Sequence, residues 1–401
     1  MNILVLNCGS SSIKYQFLNM SDEPKLLAKG LVERVGLKDG EHTYKNENGN
    51  KVNVNVDIPD HTFGIKLVIE MLTNPDHGVI KNIEKIHAVG HRVVHGGEKF
   101  TSSVLINEEV KEMIKECIDL APLHNPANLK GIEAMEKISP NIPQVAVFDT
   151  SFHQTMPKHV YLYGIPYEYY EKYKVRRYGF HGTSHSYVAK QSAELVGKRM
   201  EDLKIVTCHL GNGASITAVD RGKSVDTSMG MTPVEGLIMG TRCGDTGLGA
   251  ILFLMEKEHL KYKEANEMVN KNGGLLGISG ISPDMRDLQN AAAEGHERAA
   301  IAIDMFTYRI KKYIGAYGFA MGGLDMVVFT GGIGENSKIV REKVCSNLES
   351  FGLILDIEKN NMIMGKPAVI SKPESKIYTV VMPTNEELVI ANDTKTIVEA
   401  L

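Results

Sequence analysis

The sequence predicts an α/β protein built as two related halves, and three observations carry that expectation. A chain of 401 residues exceeds what one hydrophobic core ordinarily organises, so two domains are expected. Two distant segments then share one plan. In residues 2–18 the run Ile3, Leu4, Val5, Leu6 enters a small polar turn (Asn7, Cys8, Gly9, Ser10, Ser11, Ser12), after which Ile13, Tyr15 and Phe17 alternate with Lys14 and Gln16. In residues 204–219 Ile205 and Val206 lead to His209, Leu210, Gly211, Asn212 and Gly213, after which Ile216 and Ala218 alternate with Ser215 and Thr217. A period of two is that of a strand, so each segment reads as strand, turn, strand. Finally, the run Met326, Val327, Val328, Phe329 meets Thr330, Gly331, Gly332, Ile333, Gly334, Glu335 and Asn336, a strand entering a glycine-rich turn.

The remaining elements follow in order. Residues 38–55 are polar and read as a solvent-exposed hairpin inserted in the first half. The apolar run ending at Phe148 places Asp149 at a strand's C-terminal edge. Within residues 295–318, Ala299, Ile303, Phe306, Ile310 and Ile314 recur at the spacing of a buried helical face. Ser337 is a polar cap for an amphipathic helix, and residues 385–401 read as a last helix. The expected domains are 1–150, joined by the C-terminal helix 385–401, and 151–384.

Net charge is −4, with 43% hydrophobic and 23% charged residues, which argues against a nucleic-acid surface needing a Lys/Arg excess. The five cysteines form no C-x-x-C pair and read as reduced thiols of a cytoplasmic protein. No signal peptide is expected, because the chain opens directly on a short β-branched run. No apolar stretch approaches the ~18–20 residues that span a bilayer, so no membrane partner is expected.

Gly, Ser and Asn turns between strands present backbone N–H groups and hydroxyls to an anion without side-chain obstruction. Lys14, on the polar face beside Gln16, can add a point charge. Neither hairpin is a P-loop, since G-x-x-x-x-G-K-[ST] is absent, and the glycines at 332 and 334 are no dinucleotide fingerprint, since Ser337 holds the third position. The pairs His91/His95 and His181/His185 have a zinc-like spacing, but the Glu of H-E-x-x-H is missing and glycine-rich surroundings argue against helices presenting both rings.

At this point a resemblance becomes specific. The opening run from Asn7 to Lys14 resembles that of the acetate kinases, members of the acetate and sugar kinase/Hsp70/actin superfamily. Further matching stretches are Gly90 to Gly97, Ala121 to Pro126, Val147 to His153, Tyr178 to His185, His209 to Gly213, Gly240 to Gly244, Gly331 to Ser337 and Pro383 to Glu387, in the family's order along the whole chain. The resemblance implies two duplicated actin-like (ribonuclease H-like) domains with an interdomain nucleotide cleft. It also implies reversible phosphoryl transfer from Mg-ATP to acetate, giving acetyl phosphate and ADP, by a homodimer. Mg²⁺ is the expected metal, with Mn²⁺ able to substitute.

The same resemblance implies the site. Arg92 takes the substrate carboxylate and Arg242 the transferring phosphoryl group, a role that suits a permanently charged bidentate fork. His181 donates to a phosphoryl oxygen, with His124 nearby, and Asp149 orients an arginine or the metal's water shell. Asn7 and Glu386 are the metal-associated pair, through water. Phosphates are expected at Ser10, Ser11, Ser12 and Lys14 and at His209, Leu210, Gly211, Asn212 and Gly213. Adenosine is expected at Asp284, Met285 and Arg286 and at Gly332, Ile333, Gly334, Glu335 and Asn336. Val94, Leu123, Phe180 and Pro233 are expected to line a small methyl pocket. One stretch departs from the family: Asp245, Thr246, Gly247, Leu248 and Gly249 replace its Asp-(Ile/Met)-Asp-Pro, which is expected to loosen the segment after Arg242. Propionate and butyrate kinases would use the same machinery. A chaperone or filament protein of the superfamily is disfavoured because no substrate-binding domain follows the second half.

Overall fold

The computed structural model describes every residue from 1 to 401 except Leu123. The chain divides into two compact units, Met1–Ser151 with Asn385–Leu401, and Phe152–Thr384.

The first unit is built on an eight-stranded sheet: β1 (Asn2–Cys8), β2 (Ser12–Asn19), β3 (Lys25–Glu33), β4 (Glu41–Asn46), β5 (Lys51–Asn55), β6 (Ala88–Val93), β7 (Val104–Leu105) and β8 (Gln144–Phe148), in the order β5-β4-β3-β2-β1-β6-β8-β7. The alternation in β1 divides its side chains between two cores. Leu4 and Leu6 pack with Ile65, Val68 and Leu72 of the helix His61–Leu72, while Ile3 and Val5 pack with Ile390 and Ala391 of the C-terminal helix Glu386–Val398. That helix lies close to β6 because position 90 is glycine. A Cβ there would come within 2.5 Å of Thr394 Oγ1 and 2.6 Å of Ile390 Cγ2.

Residues 38–55 do form a hairpin, β4–β5, but it is not simply solvent-exposed. It extends the sheet from β3 and buries His42, Tyr44 and Asn46, with the Tyr15 hydroxyl 2.9 Å from His42 Nε2. Polar composition hid this inner face, because His and Asn can be buried when hydrogen-bonded.

The second unit carries a six-stranded sheet: β9 (Lys204–Leu210), β10 (Ala214–Asp220), β11 (Lys223–Thr227), β12 (Met326–Thr330), β13 (Ala368–Val369) and β14 (Tyr378–Val381), ordered β11-β10-β9-β12-β14-β13. The helix Glu297–Ala320 buries Ala299, Ile303, Phe306, Ile310 and Ile314, the positions its periodicity selects. The glycine-rich stretch after β12 is itself a short helix, Gly331–Asn336, rather than an open turn. Gly331 has φ +76°, and the Glu335 carboxylate folds back to accept from its N–H at 2.9 Å, closing the helical turn. Ser337 then caps Lys338–Cys345 by accepting from Val340 N.

The two sheets share a plan. In β3-β2-β1-β6-β8 and in β11-β10-β9-β12-β14, three antiparallel strands are followed by two parallel ones. Each unit is thus an actin-like α/β domain. No helix among the described residues is long and apolar enough to cross a membrane.

Candidate active site

In the first unit, three stretches far apart in sequence meet at the C-terminal edge of the parallel strands. Arg92 lies near the end of β6 and Asp149 follows β8, its strand neighbour. Glu386 opens the C-terminal helix, whose cap Asn385 accepts from Leu388 N. Arg92 Nη2 donates to Asp149 Oδ2 at 2.9 Å, and Arg92 Nε faces Glu386 Oε2 at 3.9 Å. Burial would weaken the guanidinium's hold on its proton, but Asp149 and Glu386 more than offset this and its pKa rises. Nε is buried without a hydrogen-bond partner among the described residues, so the arginine has donor capacity to spare. Burial pushes the Glu386 carboxyl up to about 7. Arg92 opposes the rise, and the carboxylates of Asp149 and Glu387 add to it.

The β1–β2 turn belongs to the same sheet, β1 being the parallel neighbour of β6. Gly9 N donates to Ser12 O at 2.8 Å, leaving Ser10 and Ser11 exposed at the tip. Asn7 pairs across the hairpin with Lys14, whose ammonium meets Glu387. Val94 is buried, its N–H bonded to Asn128 Oδ1 at 3.0 Å. His124 occupies the N-cap of the helix Asn125–Ile138 without a side-chain capping bond. The expected pocket residue Leu123 lies outside the described residues.

In the second unit a separate cluster forms around the β9–β10 turn. His181 sits in the left-handed region (φ 58°) at the start of the helix Gly182–Leu195. Its Nδ1 is 2.8 Å from Ser215 Oγ on β10, and its ring stacks on His209 at 4.3 Å. His209 Nδ1 in turn is 2.8 Å from Ser184 Oγ. A Cβ placed on Gly213 would lie 3.5 Å from Arg242 Nη1 and 3.6 Å from His181 Nε2, so one glycine turn faces both side chains. Arg242 donates to Pro233 O at 3.3 Å and has no salt-bridge partner among the described residues; burial lowers its pKa. A partly buried guanidinium without a counter-ion keeps its N–H donors available to an anion.

The His181/His185 pair does lie at a helix start, against the expectation from its glycines. Both ring nitrogens of His185 are engaged by hydroxyls, Thr207 Oγ1 and Ser215 Oγ, each at 2.7 Å. No group of three metal-ligating side chains occurs among the described residues.

Asp245, at the head of the departing segment, is held through both carboxylate oxygens. Asp245 Oδ1 accepts from Gly236 N at 2.8 Å, Oδ2 accepts from the Tyr313 hydroxyl at 2.6 Å, and Arg309 Nη1 bonds the Gly236 and Asp245 carbonyls. Sequence reasoning missed this clasp because its partners lie some 70 positions away. It also missed Arg341, wholly buried, whose guanidinium binds the carbonyls of Gly334 and Glu335 and so braces the helix Gly331–Asn336.

The two stretches expected at adenosine adjoin each other, since Gln289 Nε2 of the helix Met285–Ala293 donates to Ser337 Oγ at 2.6 Å. Asp284 and Arg286 bond one another, and their guanidinium is exposed. Met285, Leu210 and Phe180 are core residues by burial. Asn336 Nδ2 donates back to Gly332 O. Asn212 packs against Gly240, whose N–H donates to the Asn212 carbonyl at 3.0 Å.

Comparison with known proteins bears on this geometry. A family model described as the acetokinase family matches residues 2–392. A protein named acetate kinase from Caldicellulosiruptor saccharolyticus is 56% identical over 400 residues, covering 100% of both chains. The crystal structure of Porphyromonas gingivalis acetate kinase superposes with a TM-score of 0.96 at 53% identity, covering 99% of each chain. A propionate kinase structure from Francisella tularensis gives 0.91 at 42% identity, covering 98% of this chain and 99% of that one.

Proposed function

The chain belongs to the acetokinase family, and from that premise we propose that it transfers the γ-phosphoryl group of ATP to acetate, reversibly, yielding acetyl phosphate and ADP. The observation that carries the assignment of roles is the pair of arginines with anion-binding capacity to spare: among the described residues, the buried Nε of Arg92 has no hydrogen-bond partner and Arg242 has no counter-ion. Bringing an anionic acid against an anionic phosphate is the main obstacle, and guanidinium groups lower it.

In this reading a carboxylate oxygen of acetate, held by Arg92, donates its electron pair to the γ-phosphorus. The bond from phosphorus to the β,γ-bridging oxygen breaks, and that oxygen leaves with the pair as ADP. No proton moves, because acetate is ionised at neutral pH, so Asp149 serves to fix Arg92 rather than to act as a base. Arg242 and His181 stabilise the charge spread over the equatorial oxygens. The turns at Gly9 to Ser12 and Gly211 to Gly213 offer N–H groups to phosphates. The helix Gly331–Asn336 and the start of Met285–Ala293 serve adenosine, with Glu335 bracing the former rather than touching ligand.

The carboxylates of Glu386 and Asp149 and the amide of Asn7 are hard oxygen donors. The crowding that lifts Glu386 to about 7 is relieved by a cation. Mg²⁺ would be held there by Glu386 and Asn7 through water, Mn²⁺ substituting, and would neutralise phosphate charge. We also propose a homodimer formed through the helix Leu248–Lys257, which buries no residue and exposes Leu248, Leu252 and Phe253. A cytoplasmic location accords with five free cysteines.

Propionate kinase activity is the second reading, favoured by the Francisella tularensis likeness. A methylene is worth only ~1–3 kcal/mol of discrimination. Hydroxamate trapping of acyl phosphate from acetate, propionate and butyrate decides: the highest kcat/KM is expected for acetate. A preference for a longer acid moves the assignment, and ATP binding without any acyl phosphate removes it.

A further inference from the structure

We propose that Ser215 and His185 are positioning residues that hold His181 in the tautomer whose Nε2 carries the proton, so that a neutral imidazole donates a hydrogen bond at the Gly213 turn. The inference rests on the phosphoryl-transfer reading above, in which His181 donates to a phosphoryl oxygen.

A linear chain of contacts leads away from the ring. His181 Nδ1 is 2.8 Å from Ser215 Oγ, Ser215 Oγ is 2.7 Å from His185 Nε2, and His185 Nδ1 is 2.7 Å from Thr207 Oγ1. Ser215, His185 and Thr207 are each 0% exposed, so bulk water does not reorder their protons. Each hydroxyl has a single proton to give, and a neutral imidazole has one N–H. His185 is neutral, because burial, reinforced by His153, His209 and His181, holds its pKa well below the ordinary value.

Only two proton arrangements then satisfy the chain. In one, Thr207 donates to His185 Nδ1, His185 Nε2–H donates to Ser215, and Ser215 donates to His181 Nδ1, leaving the His181 proton on Nε2. In the reverse arrangement every arrow turns, and the Thr207 proton is left with the Thr217 carbonyl at 3.5 Å, outside the ordinary range for O–H···O bonds. The first keeps the three inner protons in contacts of 2.8 Å or less and turns the fourth, on His181 Nε2, to the Gly213 turn that faces that atom, and it is the arrangement we assign. The groups facing His181 favour the neutral ring too. Arg242 shares the Gly213 turn with it, and His209 stacks on it, so an imidazolium would add a cation beside a cation.

The test is the imidazole ¹⁵N–¹H correlation spectrum of the full chain with ¹⁵N-labelled histidine at pH 7.5, the His181 signals being identified by their loss in His181→Gln. The wild-type ring is expected to be protonated at Nε2 alone. Ser215→Ala is expected to move it toward Nδ1 and to lower kcat about tenfold or more, with both KM values within about twofold. Ser215→Thr keeps the hydroxyl and is expected to restore both. If Ser215→Ala does not fold, Thr207→Val removes the far end of the chain and is expected to shift the tautomer likewise. A wild-type ring protonated at Nδ1 or at both nitrogens, or an unchanged tautomer in the hydroxyl-deleted variant, overturns the proposal. An Nε2–H ring in a chain that makes no acyl phosphate would leave this proposal standing and remove the kinase reading instead.

Discussion

Glu386→Gln is expected to make the ligand-free protein more stable at pH 8 while lowering its turnover. Burial, with the neighbouring Asp149 and Glu387 carboxylates, raises the Glu386 carboxyl from 4.5 to about 7 despite Arg92. A carboxyl whose folded-state pKa is raised binds protons more tightly folded than unfolded, so stability falls as pH climbs through the interval from 4.5 to 7. At 1.36 kcal/mol per pH unit the full cost approaches about 3 kcal/mol, and solvent reaching the 23%-exposed side chain trims it to about 2 kcal/mol. The amide keeps the shape and discards the charge. For a unit of this size one kcal/mol moves Tm by about 2–4 °C, so roughly 4–8 °C is expected at pH 8, shrinking to about a third at pH 5. Calorimetry of both proteins, without nucleotide or divalent cation, across pH 5–8 measures it. Equal Tm values at pH 8, or a gain that persists undiminished at pH 5, would refute the reasoning. Adding Mg²⁺ with ADP should narrow the gap, because the cation gives the wild-type carboxylate a partner.

Three further outcomes follow from single contacts. Arg242→Ala should cut kcat about 10³-fold or more with Tm nearly unchanged, since among the described residues its guanidinium donates to a carbonyl and a thioether; acyl-phosphate assay and calorimetry together check this, and near-normal activity would exclude the arginine. Gly90→Ala should cost about 1–3 kcal/mol, because its methyl meets Thr394 and Ile390, and limited proteolysis should release the C-terminal helix first. Leu252→Glu with Phe253→Lys should yield a monomer by sedimentation, and an unchanged assembly would place any dimer contact elsewhere.

How much of this was legible beforehand depended on the range of the interactions. The β1–β2 and β9–β10 hairpins were readable because strand alternation is a property of neighbouring residues, and Cys8↔Ile13 and Leu210↔Ala214 close both where the glycine turns stand. The helix Glu297–Ala320 was readable because its buried stripe repeats. The β4–β5 hairpin was misjudged as exposed, since burial of His42 depends on Tyr15, a residue two strands away. The helical form of Gly331–Asn336 was missed for a related reason. Glycine composition favours a turn, and only the Glu335 carboxylate and the buried Arg341 guanidinium convert those residues into a helix.

The site divides along the same line. That Arg92 and Arg242 should handle anions followed from guanidinium chemistry joined to motif resemblance. Arg92's partners, however, come from positions 149 and 386, and no spacing rule connects those numbers. Ser215 shows the limit most clearly. In sequence it is one polar residue in an alternating strand, where a serine on the water-facing side is the ordinary expectation. In the fold its hydroxyl is fully buried between His181 and His185. A buried hydroxyl with two imidazoles on it is too costly to leave unsatisfied, so its single proton must go to one of them, and that choice fixes which nitrogen His181 offers to a phosphate. The residue types in the motif name the donor, but the direction of donation is set by Thr207 and His185, which touch no ligand in this reading.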